Sequence, residues 1–254
     1  MKKTGSIVQS VVGLILLVIG VVLCFSTYVQ KGNTAYAISL LVAILGGFVL
    51  ILGIVGLFQK NEPKPVDTKV LAQAALCAAL CYVGATFIKI DVPVGTEKTM
   101  FHFGNVFCVL AALLIGGLWG GLAGAVGMTI SDLTTSYVTS APKTFILKLC
   151  IGLIVGFVAH KLFKLSKDHS AKYVTVATIV SSICGMLFNV FADPIVGYFY
   201  KTYLLGVPQD LSKALAKIGA VTTSVNAVIA VIVATIIYLA LRPVMKKTGM
   251  LKEL

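Results

Sequence analysis

The 254-residue sequence predicts an all-α polytopic membrane protein: a six-helix core preceded by a two-helix transmembrane hairpin. Three observations predict it. Eight long apolar stretches fill most of the chain, which is 58% hydrophobic and only 12% charged, and a soluble fold has no means of hiding that much apolar surface. The stretches are long and lack strict alternation, which favours helices over a barrel. The Asp, Lys, Asn and His residues within six of them gather toward one side of the bilayer, and polar groups at that depth are costly enough that their convergence marks a cavity.

The net charge of +12 would favour nucleic-acid binding on a soluble protein, but in a membrane chain lysines mark cytoplasmic loops. No nucleic-acid partner is expected. The six cysteines, Cys24, Cys77, Cys81, Cys108, Cys150 and Cys184, all lie in apolar stretches. There a thiol packs as a small hydrophobe, and no His or carboxylate sits beside Cys77 and Cys81 to complete a metal site.

The elements follow in order. Met1-Lys2-Lys3 and the apolar run after it resemble a signal peptide, but Ile7 to Tyr28 is long enough to span and no small-x-small cleavage site follows. We read a retained helix over 6–28 and a second over 34–58. Residues 59–68 carry two prolines and four charges, a helix-breaking linker. The chain therefore divides into a hairpin (1–60), a cytoplasmic linker (61–68) and a six-helix membrane domain (69–254), with spans near 69–90, 102–115, 118–137, 143–162, 173–200 and 219–241. The segments placed inside hold most of the 21 Lys and Arg, which puts both termini in the cytoplasm. The basic segment Lys201–Lys217 runs against this bias, since it falls outside.

The polar residues recur at helical spacing. His102 and Asn105 open the fourth span. Thr129, Asp132 and Ser136 lie on the fifth, Thr144 and Lys148 on the sixth, Gly185, Asn189 and Asp193 on the seventh, and Thr222, Thr223 and Asn226 on the eighth. Seven of these, His102, Asn105, Asp132, Lys148, Asn189, Asp193 and Asn226, are the candidate substrate-binding groups. Phe101, Tyr137 and Tyr198 are candidates to stack on a heterocycle. The same residues also admit a packing role: an Asp132–Lys148 ion pair, or Asn189 and Asn226 as interhelical hydrogen-bonders. The connector 91–100, with Asp91, Pro93, Gly95 and Glu97, has turn chemistry and is a candidate lid.

Small residues form two surfaces. The run Gly116–Gly127 pairs glycines four apart, which lets helix backbones approach closely. It is not a phosphate loop, since no Gly-Lys-Ser/Thr follows. Ala74 and Ala78, or Ala75 and Ala79, form a flat stripe on the third span and a candidate docking face. No Walker, zinc or Gly-x-Ser-x-Gly motif is present, so neither a catalytic set nor a metal or cofactor is expected.

Over residues 67–254 these features, in this order, resemble the substrate-binding S component of energy-coupling factor (ECF) vitamin transporters. The resemblance rests on the Ala-rich helix opening, Phe87-Ile-Lys-Ile90 before a Pro/Gly loop, and His102-Phe-Gly-Asn105. The Gly-rich turn leading to Ser131-Asp132-Leu133 and Ala141-Pro-Lys-Thr-Phe145 with Lys148 completes it. It is closest to the riboflavin, pyridoxine and hydroxymethylpyrimidine branch. Many relatives carry Asp where this chain has Asn105, and the usual unit lacks the N-terminal hairpin. The resemblance implies a bacterial cell-membrane subunit, not an enzyme, that captures a water-soluble vitamin or precursor from outside. Its partners would be a membrane T component, which docks on the Ala stripe, and two ATP-binding cassette ATPases. The residues alone also admit a stand-alone proton-coupled transporter, with Asp132, Asp193 and His102 as a relay.

Overall fold

In the computed structural model, residues 4–30, 32–59 and 67–248 are described. Most of the expected 61–68 linker, and several of the lysines used to orient the chain, lie outside the described residues. Eight helices and one β-hairpin make up the fold among the described residues. Among the described residues, six helical segments are long and apolar enough to cross a membrane: Thr4–Thr27, Thr34–Phe58, Thr68–Thr86, Val138–Leu162, Ala171–Leu204 and Gln209–Lys247.

Helices α1 (Thr4–Thr27) and α2 (Thr34–Phe58) pack along each other through glycines spaced seven apart on both partners. A Cβ on Gly13 would sit 2.6 Å from the Leu50 Cα, and one on Gly20 would sit 2.6 Å from the Ala43 Cα. Gly46 and Gly53 meet Leu17 and Ser10 just as closely from the other side. This two-sided glycine seam went unread in the sequence, where only the four-residue spacing of the later run stood out. Helix α2 also packs on the core: Leu41, Ile44, Leu45 and Phe48 lie against Ala125, Ala141 and Phe145.

Helix α3 (Thr68–Thr86) starts where the Asp67 carboxylate accepts the Lys69 N–H, which satisfies one of the orphan donors of a helix start. It ends at Thr86, short of the expected residue 90. The segment read as a loop and a helix start is an antiparallel β-hairpin, β1 (Lys89–Val94) and β2 (Glu97–His102). Ile90, Val92, Val94 and Thr99 favour extended backbone. Gly95, at φ 60°, takes the left-handed turn position that side chains avoid. His102 is therefore the last residue of a strand, not the first turn of a helix.

Helix α4 (Gly104–Ile115) has 12 residues, a rise of about 18 Å against a hydrocarbon core of roughly 30 Å. The hairpin takes up part of the depth α4 leaves, so polar strand atoms and the α4 N-terminus meet inside the bundle. Gly116, at φ 85°, turns the chain into α5 (Gly117–Thr134), which stops before Ser136, an exposed residue. Helix α6 (Ala141–Gly156) continues through a π-helical turn to Leu162, and α7 (Ala171–Phe199) continues likewise to Leu204. Helix α8 (Gln209–Lys247) begins ten residues before the expected start, just after Pro208. Proline is well suited to the entry of a helix because it has no N–H to leave unpaired. The charged residues that read as loop are the exposed first turns of this helix.

Polar residues are not confined to one end. At the end opposite the hairpin, His160 is buried and contacts the Ala112 carbonyl and Ser166, and Tyr238 is fully buried. Arg242 donates to the carbonyls of Leu165 and Lys167, and Lys246 pairs with Asp168. These groups tie the α6–α7 connection to the end of α8. Thr178, Ser181 and Ser182 are buried but spend their hydroxyls on carbonyls of their own helix.

At the α5–α6 crossing the two backbones approach closely. A Cβ on Gly152 would lie 2.2 Å from the Gly121 Cα, and one on Gly156 would lie 2.2 Å from the Gly117 Cα. Replacing Gly152 with Ala forces backbones apart, and we expect a loss of about 1–3 kcal/mol. Gly5→Ala meets nothing within 4 Å and should leave stability unchanged. Thermal unfolding of the two variants in one detergent checks this.

Candidate functional site: a polar cavity beneath the hairpin

A cavity of about 110 Å³ lies at the hairpin end of the bundle, walled by β2 and helices α4 to α8. All seven residues singled out in the sequence line it: His102, Asn105, Asp132, Lys148, Asn189, Asp193 and Asn226. Each is placed by its own element. His102 ends β2, and Asn105 opens α4. Asp132 lies in the last turn of α5, with Lys148 two turns into α6. Asn189 and Asp193 sit one turn apart on α7, and Asn226 lies midway along α8.

Their pairing differs from the expected one. Asp132 and Lys148 do not form an ion pair. The Asp132 carboxylate accepts the Thr144 hydroxyl at 2.5 Å, and the Lys148 ammonium donates to the neutral Asn105 Oδ1 at 2.9 Å. An ion pair forms instead between the half-buried Lys143 and Asp193 at 2.8 Å, with the Thr223 hydroxyl donating to the other Asp193 oxygen at 3.1 Å. Lys143 escaped the sequence reading because it is the first residue of the expected sixth span and read as an end-of-helix lysine. Asn189 and Asn226 do not bond to each other. Asn189 is 1% exposed, and its Oδ1 accepts no hydrogen bond from any described residue.

Asn226 holds the hairpin down. Its Oδ1 accepts the His102 N–H at 3.0 Å, and its Nδ2 donates to the Met100 carbonyl at 3.1 Å. One amide thus satisfies a donor and an acceptor on the edge of β2, which an aspartate or leucine cannot do. Thr99 and Thr222 add a hydroxyl contact at 3.1 Å. On the other side, Tyr137 donates to Asp91 Oδ1 at 2.9 Å, and Glu97 pairs with Lys201 at 2.6 Å. Partial burial pushes the Asp91 carboxyl upward, but the Tyr137 hydroxyl and Lys89 outweigh it and hold the group below the ordinary carboxylate range. Stability from this contact is therefore present at neutral pH and fades as pH falls through the lowered value.

The candidate lid residues Asp91, Pro93, Gly95 and Glu97 do not line the cavity; Lys98, Thr99, Met100 and His102 of the hairpin do. Of the three candidate aromatic residues only Tyr137 reaches it, and Tyr198 packs on Phe199 instead. The ring of His102 has a fixed role: its Nδ1 accepts the Gly104 N–H at 3.1 Å. That nitrogen therefore carries no proton, and the ring presents a neutral imidazole with Nε2 as donor. The cavity so offers donors from Lys148 and His102 and acceptors from Asp132 and Asn189. Such a set orients a small polar molecule.

The profile of the family described as "ECF-type riboflavin transporter, S component" matches residues 66–243. The chain belongs to the ECF S-component family. The match begins where α3 begins and leaves out the α1–α2 hairpin. A curated relative from Pyrococcus woesei, described as "Uncharacterized protein in gap 3'region", is 33% identical over 75 residues, 30% of this chain and 50% of the relative. The chain thus spans about half the length of the curated relative it matches. No solved structure matches. Together with its six apolar helical segments, the family makes this S component a multi-pass membrane protein with a role in transport.

Replacing Asn226 with Leu strands the Met100 carbonyl and the His102 N–H. We expect the hairpin to undock at a cost of about 1–3 kcal/mol. Faster amide exchange across 89–102, with α5 and α6 unchanged, is the measurement that checks it.

Proposed function

We propose that this chain is the high-affinity capture subunit of an ECF-type importer for a water-soluble vitamin or vitamin precursor. The observation that carries the proposal is the gathering of seven intramembrane polar residues in one cavity under the hairpin, in a chain of this family. The hairpin end faces outward and both termini lie in the cytoplasm of a bacterial cell. The ligand enters beneath β2 and is held by Lys148, His102, Asp132 and Asn189. Riboflavin is the first ligand to test, because the matching family carries its name.

A T component and two ATP-binding cassette ATPases supply the energy. The Ala-rich helix supports a docking face, in part. Ala74 is buried, and the Ala78 carbonyl lies 2.1 Å from where a Gly127 Cβ would be, so these two face α5 within the subunit. Ala75 and Ala79 are exposed, with Leu71 and Leu76 beside them. The docking stripe is therefore the Ala75/Ala79 pair. A proton relay gains less support, since the His102 Nδ1 and the Asp193 carboxylate are already committed to Gly104 and Lys143.

Purified protein is expected to bind riboflavin and quench its fluorescence. Lys148→Ala and Asp132→Asn should each weaken binding at least about tenfold, the scale of a lost charge-assisted hydrogen bond, without lowering the melting temperature. Unchanged affinity in both removes this cavity as the site. If the native protein does not bind riboflavin, mass spectrometry of copurified small molecules identifies the replacement. Ala79→Trp should leave ligand binding intact and abolish copurification with the T component, whereas Ala78→Trp should destabilise the subunit itself.

A further inference from the structure

The α1–α2 hairpin lies outside the family match, so its role has to come from its contacts. Helix α6 is gripped on two neighbouring faces. Thr144 and Lys148, four apart, face the cavity. Ala141 and Phe145, also four apart, face α2, and the Phe48 and Phe145 rings meet edge-on at 5.9 Å. The same helix turns that present the ligand-facing groups are therefore seated on the N-terminal hairpin.

A second contact lies at the tip of the hairpin. Tyr36, 4% exposed, packs with Tyr200 and Leu205, and Leu40 and Cys24 close the cluster. The turn at Gly32 comes so near that an added Cβ would lie 3.0 Å from the Leu205 carbonyl. The Tyr200 hydroxyl donates to the Thr139 carbonyl at 2.8 Å, which joins the end of α7 to the segment leading into α6. Its neighbour Lys201 lines the cavity and holds Glu97 of the β-hairpin. Tyr36 thus backs a residue that ties the end of α7 to the segment before α6, and that residue adjoins the lysine that holds the cover.

We propose that the α1–α2 hairpin is a positioning element of the binding site. It braces residues 137–145 and 200–207 from behind, and Tyr36 and Tyr200 transmit the contact. It sets how tightly the cavity closes without touching the ligand. The brace follows from packing alone; its effect on ligand release rests on the function proposed above.

The test uses the full chain in nanodiscs, with amide exchange and riboflavin release measured on the same samples. Tyr36→Ala should raise exchange in 137–142 and 200–207 at least about fivefold. It should speed riboflavin release by a similar factor, with α3 and α4 unchanged. Tyr36→Phe should restore both. Where Tyr36→Ala does not fold, Leu40→Ala trims the same cluster at its edge. Unchanged exchange in both segments overturns the proposal, and so does a rise that spreads equally through α3 and α4, which is general destabilisation. If the native protein binds no riboflavin, the ligand assignment falls while the exchange pattern still decides for or against the brace.

Discussion

The constraint on which the site depends is the satisfaction of strand backbone inside an apolar bundle. A sheet edge carries unpaired N–H and C=O groups, and at hydrocarbon depth there is no water to take them. Here a two-stranded hairpin drops its last residues onto the N-terminus of a helix too short to cross the membrane. Asn226 supplies the missing donor and acceptor from α8, while the Phe103 N–H is taken by the Gly84 and Ile88 carbonyls of the neighbouring α3 segment. With those groups met, the hairpin can roof a polar chamber. Without them it would have to leave the bundle, and α4 to α8 would enclose nothing.

The chamber's chemistry follows from which charges are already spent. Lys143 and Asp193 neutralise each other, as do Lys201 and Glu97. Lys148 and Asp132 rest on neutral side chains, Asn105 and Thr144. A buried charge with a neutral partner is less stabilised than one in a pair, so this is where a ligand has most to offer. A neutral Asn105 at this position is what leaves Lys148 in that condition. An aspartate there would make the ion pair within the protein and reduce what the ammonium can give to a guest.

Much of this was legible in the sequence, for identifiable reasons. Polar residues in lipid are rare, so the seven site positions stood out by residue type alone, and the three- and four-residue spacings assigned them to one side of each helix. What was not legible depends on local geometry. The hairpin read as a connector because its strands are six residues each and contain Pro93. Pairings failed because residue spacing gives a face but not a partner: Asp132 prefers Thr144 although a lysine lies close by. Lys143 and Lys201 were passed over because lysines near helix ends normally belong to the interface. The start of α8 was missed because its first turns are polar. The glycine seam of α1 and α2 has a seven-residue period, and each contact needs a partner on the other helix, as Gly13 needs Leu50 and Gly20 needs Ala43.

Helix α8, with 39 residues, is about 58 Å long, nearly twice the apolar thickness of a bilayer. Its early part bears on the cavity and the β-hairpin, and its far end grips the α6–α7 connection through Arg242 and Lys246. Such a rod cannot shorten to suit its surroundings. Lipids with longer or shorter tails must be met by leaning the rod, and any lean carries both of its ends with it. Acyl-chain length thereby becomes a variable that acts on the mouth of the chamber and on the opposite rim together.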